Sequence, residues 1–192
     1  MTEQTFIATD RLILVPFTAA AIQAMIAGDG DALDVATGAA FPRPVEAPPE
    51  MADALAFFRD RLIAQPAQLP WWGRVLVHRE SAQAVGIAGF SGPPDERGIV
   101  VIGYSVYPAW QRRGIATEAV VTLVQWALQQ PGVSRVRATI APDNIASRRV
   151  AERAGMLPIG VTDDDEVGAV EIWQTGRCGE TKPEFTIRAD DE

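Results

Sequence analysis

The sequence has one cysteine, Cys178, and one histidine, His78. A single thiol excludes any disulfide within the chain, and a reducing cytoplasm is the simplest compartment for it. The same two counts exclude a Cys/His zinc cluster, so no metal is expected. Basic charge is also scarce: 17 Lys and Arg against 25 Asp and Glu leave −8 at pH 7, with a pI near 4.7. That balance argues against a broad footprint on phosphates, so nucleic acid is not an expected partner. It suits ordinary solubility, and it would also attract a cationic amine. No apolar run approaches the roughly 20 residues that cross a bilayer, so no membrane partner is expected either. The opening MTEQTF is polar, without the pattern of a signal peptide.

What the chain does have is a normal apolar fraction, 47% over 192 residues, enough to bury a core without staples. One domain is expected over residues 1–192, with its core at about 9–175 and a tail at 176–192. The chain is organised around residues 98–117, GIVVIGYSVYPAWQRRGIAT. The run from Ile99 to Val106 reads as a strand buried on both faces. Tyr107-Pro108 stops it, because proline removes a backbone donor and keeps its predecessor extended. Gln111, Arg112, Arg113, Gly114, Ile115, Ala116 and Thr117 then open a helix whose apolar positions Ile115, Ala119, Leu123, Trp126 and Ala127 recur at helical spacing.

A strand, a short basic loop, a glycine and a helix make an anion site. The first amides of the helix are free and its dipole favours negative charge. Gly114 would let a ligand approach the backbone, with Arg112 and Arg113 as charged donors. A solvated basic helix start is the structural alternative. The loop is neither a Walker motif nor G-x-G-x-x-G.

QRRGIA resembles the Q/R-x-x-G-x-G/A signature of GNAT-superfamily N-acetyltransferases. Asn144 to Met156 resembles the N-x-x-S-x-x-V-x-E-x-x-G-F/M element of its RimJ/RimL-like branch, which acetylates ribosomal-protein N-termini. Thr9 to Leu14 looks like that branch's T-x-R-L-x-L opening strand, and the likeness covers roughly residues 9–175. It implies an α/β (α+β mixed) fold with a central mixed sheet of about seven strands and about four helices. It further implies acetyl-CoA as co-substrate and direct transfer to a primary amine in a ternary complex. The acceptor would be a protein N-terminus or a small molecule, and homodimers are common in the family. An acyl-CoA-binding module with little turnover is the alternative.

By the same resemblance, the pyrophosphate lies on the amides of Arg112 to Thr117, and the pantetheine arm pairs along Ser105, Val106 and Tyr107. The amide of Val106 or a neighbour faces the thioester carbonyl. Asn144 and Ser147 contact the cofactor, and the Ser147 hydroxyl protonates the departing thiolate. The structural alternatives are a simple helix cap for Asn144 and an exposed helical serine for Ser147. Many relatives carry a base in E-I-G-Y on the central strand, but Val101 stands there in this chain. Glu118 is better placed to support the loop or strand than to catalyse, while His78, Glu171 and a water chain remain open as bases.

Elsewhere, residues 10–16 read as a first strand. Thr18 is expected to cap a helix ending near Gly28, and Glu50–Gln65 forms a second helix stopped by Pro66. Asp29–Pro49 reads as an extended loop between them. Trp71 begins a second strand, and Trp71 and Trp72 fit core packing better than substrate lining. Ala84–Phe90 forms a third strand and Val133–Ile140 another. Pro158–Val161 and Ala169–Thr175 suggest a closing hairpin around an exposed turn at Asp163–Glu166. Phe185–Ile187 could add an edge strand.

Overall fold

The computed structural model describes residues 6–164 and 168–176. A short hairpin, β1 (Ile7–Ala8) and β2 (Leu12–Pro16), leads into α1 (Ala19–Ala27). The Thr18 hydroxyl caps α1 by accepting the Ala21 amide at 3.2 Å, and Gly28 ends it in the left-handed region. A helix, α2 (Gly30–Thr37), follows where an extended loop was expected. Its signals lie at its ends. Asp29 Oδ1 accepts the Ala32 amide at 3.0 Å, and Gly38 closes it with φ 68°. Inside, Leu33 is the one apolar residue it buries, so no apolar repeat advertises the helix.

α3 (Ala52–Ala64) ends just before Pro66, as expected, with Gln65 out of helical conformation, and a separate 3-10 turn, Pro66–Trp71, follows. Next are β3 (Gly73–His78), β4 (Gln83–Phe90) and β5 (Ile99–Val106). A 3-10 turn at Pro108–Trp110 precedes α4 (Ile115–Leu128), β6 (Arg135–Ile140) and α5 (Ile145–Arg153). The hairpin of β7 (Leu157–Asp164) and β8 (Gly168–Gly176) completes the described chain. Asp163 and Asp164 belong to that hairpin, opposite Ala169 and Gly168, and not to its turn. Asp165 and Glu166 lie outside the described residues, as do Cys178 and the stretch Phe185–Ile187.

The eight strands form one mixed sheet in the order β1-β2-β3-β4-β5-β6-β8-β7. Only β5 and β6 pair in parallel, across the crossover through α4. The two-residue β1 and the helix α2 account for the excess over the seven strands and four helices expected.

Two cores sandwich the sheet. On one face α4 (Val120, Leu123) and α5 (Ala151) pack on Leu14, Leu76, Val100 and Val136. On the other, α1 to α3 (Ile22, Leu33, Leu55) pack on Val15, Val75, Val77 and Ile87. The paired tryptophans divide between the faces. Trp72 is buried 5.2 Å from Phe58, and Trp71 sits 5.1 Å from Trp126, so both serve packing. Arg74, only 1% exposed, places its guanidinium 5.5 Å from the Trp126 ring centroid, and burial draws its pKa down to about 10.

β5 is not buried on both faces along its length, as its apolar run suggested. Val101 is 40% exposed and Gly103 is exposed. Among the described residues the second core draws nothing from β6 or β8, so that face opens once β4 is passed. Among the same residues no helix is long and apolar enough to cross a membrane.

Candidate active site

The parallel pair at the centre of the sheet comes apart. β5 and β6 are in register only at Ile99↔Arg135, Val100↔Val136 and Val101↔Arg137. From Ile102 onward β5 stays with β4, ending at Gly86↔Val106, while β6 follows β8 as far as Ile140↔Glu171. The Val101 carbonyl accepts the Ser91 amide and the Tyr107 amide donates to Val85, each at 3.0 Å. Odd-numbered residues of β5 therefore bond to β4. By strand alternation, Tyr104 and Val106 turn their backbone groups toward the gap.

This parity corrects part of the sequence reading. Of Ser105, Val106 and Tyr107, only Val106 presents its backbone to the gap. Its carbonyl accepts Gln111 Nε2 at 3.0 Å. Ser105 borders the cavity, but its backbone groups belong to the β4 ladder. Tyr107 is buried in the second core and donates its hydroxyl to the Glu46 carbonyl at 2.8 Å. Burial, with the Glu46 charge, raises its phenol well above the ordinary value.

At the end of β5 the loop turns sharply. Arg112 (φ 60°) and Gly114 (φ 77°) both adopt left-handed backbone. Gly114 is the N-cap of α4, which begins at Ile115 without a side-chain cap. Its first internal bond runs from the Glu118 amide to the Gly114 carbonyl at 3.0 Å. The amides of Ile115, Ala116 and Thr117 thus have no helical partner and carry the positive end of the dipole. A Cβ on Gly114 would stand 3.4 Å from Arg11 Nη2. Arg113 turns away, its guanidinium 5.0 Å from the Trp110 ring centroid and its carbonyl bonded to Arg11 Nη1 at 2.9 Å.

α5 closes the other side. Asn144 Oδ1 caps it by accepting the Ser147 amide at 3.0 Å. The Ser147 carbonyl accepts the Tyr104 hydroxyl at 3.1 Å, while its own hydroxyl bonds to no other described residue. Burial raises the Tyr104 phenol pKa, partly opposed by the bond to Ser147.

A cavity of about 480 Å³ connects these pieces. It brings together Ser105, Val106, Gln111, Arg112, Gly114, Ile115, Ala116, Thr117, Asn144 and Ser147, and leaves out Tyr107 and Arg113. It also recruits residues the sequence reading passed over: Tyr104, Trp110, Arg149, Arg153, Pro49 and Glu50. Arg149 and Arg153 stand four apart on α5, a spacing that puts both on one helix face and was readable in the sequence. Nothing local marked Pro49 or Glu50.

The candidate bases lie elsewhere. His78 packs 4.8 Å from Trp110, its Nδ1 3.0 Å from Ser81 Oγ. Glu171 Oε2 accepts Trp173 Nε1 at 2.9 Å and pairs with Arg148 at 3.3 Å. Glu118 is bonded to Thr9 and Arg11. None of the three lines the cavity.

Fold and cleft together define a class: mixed α/β proteins whose central parallel pair splits beside an uncapped helix N-terminus. Residues 11–157, well over half the chain, match the family described as Acetyltransferase (GNAT) domain, and the chain belongs to that family. It is 31% identical over 105 residues to the uncharacterized N-acetyltransferase YjdG of Bacillus subtilis, across 55% of this chain and 62% of that protein. The chain thus spans less than two thirds of that relative's length. Its fold resembles RimL, a ribosomal L7/L12 alpha-N-protein acetyltransferase solved with coenzyme A (TM-score 0.62, 16% identity, 90% of this chain and 98% of that one). A ribosomal-protein-S5-alanine acetyltransferase from Vibrio fischeri is similar to the same degree (TM-score 0.62, 16% identity, 90% and 96% covered).

Proposed function

We propose that this protein is an acetyl-CoA-dependent N-acetyltransferase that moves an acetyl group to a primary amine by direct transfer in a ternary complex. The observation that carries the reading is the single cavity joining the split strand pair, the uncapped amides of α4 and the α5 N-terminus. Its residues fit the co-substrate. The amides of Ile115 to Thr117 and the guanidiniums of Arg112, Arg149 and Arg153 suit phosphates. The backbone edge at Tyr104 and Val106 suits an amide-bearing arm. A volume near 480 Å³ is ordinary for a small-molecule site.

Acetyl-CoA supplies a thioester, and the chain's own groups do the rest. The Val106 amide is aimed to stabilise negative charge on the acetyl oxygen. Gln111 holds that segment through the Val106 carbonyl, and the free Ser147 hydroxyl is the proton donor for the departing sulfur. Cys178 lies outside both motifs in the sequence, so no acyl-enzyme is invoked. The acceptor is a primary amine on a protein N-terminus or a small molecule. Val101 in place of the usual strand carboxylate favours the second reading, an acyl-CoA-binding module with little turnover.

Thermal unfolding tests the binding half. Acetyl-CoA at a hundredfold excess over its dissociation constant should stabilise the fold by ~2.7 kcal/mol, and ATP should not. Release of free coenzyme A thiol with a panel of primary amines then separates an enzyme from a binding module. An equal or larger shift with ATP would overturn the reading.

A further inference from the structure

We infer that Glu50 is the carboxylate that receives the acceptor's ammonium group and takes its proton. This rests on the acetyl-transfer reading above and supplies the base which that reading lacks. Among the described residues Glu50 is the only carboxylate lining the cavity; the charged residues with it there are Arg112, Arg149 and Arg153. The arginines belong to the loop before α4 (Arg112) and to α5 (Arg149 and Arg153). Glu50 comes instead from the segment leading into α3, next to Pro49, and shares the cavity with Tyr104, Ser105 and Val106 of the split strand.

Its backbone points the same way. Glu50 has φ 64°, in the left-handed region that glycine favours and a long side chain ordinarily avoids. Such positions persist where the surroundings hold them, and they collect at functional sites. The carboxylate is exposed and forms no hydrogen bond or ion pair with another described residue, so it is free to meet a cation. Of the side chains the sequence left open as bases, His78 lies against Trp110 and Ser81, Glu171 is bonded to Arg148 and Trp173, and neither lines the cavity. Val101 has no titratable group, and Glu118 is bonded to Arg11.

The acceptor arrives as R–NH3+, since primary amines are largely protonated at neutral pH. One proton passes to the Glu50 carboxylate, and the freed nitrogen pair forms a bond to the acetyl carbon. The carbon–sulfur bond breaks with its electron pair going to sulfur. The nitrogen's second excess proton leaves as sulfur takes one from Ser147, which is reprotonated. The products are the N-acetyl amide, coenzyme A thiol and one proton, which Glu50 returns to solvent.

The test compares wild type with Glu50→Gln, using alanine- and serine-initiated tripeptides and an alkyl diamine as amines. Glu50→Gly serves as a second variant that removes the carboxylate while relieving the left-handed backbone. Acetyl-CoA affinity should stay within about twofold of wild type in both. Binding of an acetylatable peptide to the protein–coenzyme A complex, measured calorimetrically, should weaken at least about tenfold. Turnover at pH 7 should fall about 100-fold, the usual scale for a lost acid or base. That deficit should shrink as pH rises past the amine's own pKa, where the proton leaves unaided. Wild-type peptide binding in both variants, or a deficit unchanged with pH, overturns the role of Glu50. Loss of acetyl-CoA affinity alongside would make it only a cavity wall. Wild type that binds acetyl-CoA but turns over no amine overturns the transferase reading itself, and this inference with it.

Discussion

Arg11 and Glu118 face each other across 107 residues of sequence, with Nη2 2.6 Å and Nε 2.7 Å from Oε2. The Arg11 amide and the Thr9 hydroxyl both donate to Oε1. Because Arg11 Nη1 also donates to the Arg113 carbonyl, the strand-opening residues clamp the loop before α4 to the first turn of that helix. The T-x-R-L-x-L opening therefore fixes the loop before α4, although β3 and β4 separate β2 from β5 in the sheet.

Glu118→Gln should lower acetyl-CoA affinity several-fold and cost about 1 kcal/mol of stability. The cost is modest because the Arg11 side chain is 46% exposed and solvent screens the pair. Partial burial works to raise the Glu118 pKa. The bonds from Thr9 and Arg11 outweigh it and hold the carboxyl below its ordinary range. A depressed folded pKa gives stability that is complete above the unfolded value, ~4.3, and lost as pH falls through the lower folded one. Urea unfolding at pH 7 should separate wild type from mutant, and the gap should close in acid. A gap that does not depend on pH would exclude the clamp as its source.

Gly114→Ala and Gly114→Glu should both unfold more easily, by ~1–2 kcal/mol, because φ is 77° there. Position 114 is the cap, not the first helical turn, so the better helix propensity of Glu brings no compensation. Glu should also abolish acetyl-CoA binding through bulk and charge, while Ala weakens it less. Circular dichroism and acetyl-CoA titration on the same preparation check both. A folded Gly114→Glu with wild-type affinity would remove the cradle from the site.

Ser147→Ala should cut turnover roughly 100-fold while leaving acetyl-CoA affinity nearly unchanged, as expected of a proton donor needed in the transition state. Steady-state kinetics at saturating acetyl-CoA decides this. Unchanged turnover would reduce Ser147 to a contact.

Asn144→Ala should behave differently, since Asn144 Oδ1 holds the Ser147 amide. Loss of the cap costs ~0.5–2 kcal/mol and should fray the first turn of α5. Thermal unfolding without ligand should show the loss, whereas Ser147→Ala should unfold like wild type. Equal unfolding of Asn144→Ala and wild type would place the value of Asn144 in the ligand contact alone.

Local chemistry carried much of this protein into view. Thr18 and Asn144 cap helices through their own side chains, Gly28 ends one, and the apolar spacing of Ile115, Ala119, Leu123 and Ala127 marks the buried stripe of α4. These effects act within a few residues, so order in sequence is enough to read them. The α2 helix escaped because caps and tertiary burial of Leu33 hold it, with no repeat inside.

What the sequence by itself determined was most of the elements, α2 and the short β1 excepted, and the motif residues that end up around the cleft. The tertiary structure alone decided which of those residues face it. Strand parity turned Tyr104 and Val106 to the gap and Ser105 and Tyr107 to β4. Parity depends on which neighbour a strand bonds, and that partner is distant in sequence. Glu50 comes to line the same cavity as Val106, and Arg11 meets Glu118, for the same reason. Such contacts exist only once the chain has closed on itself, because side chains far apart in sequence meet through packing and leave no local pattern.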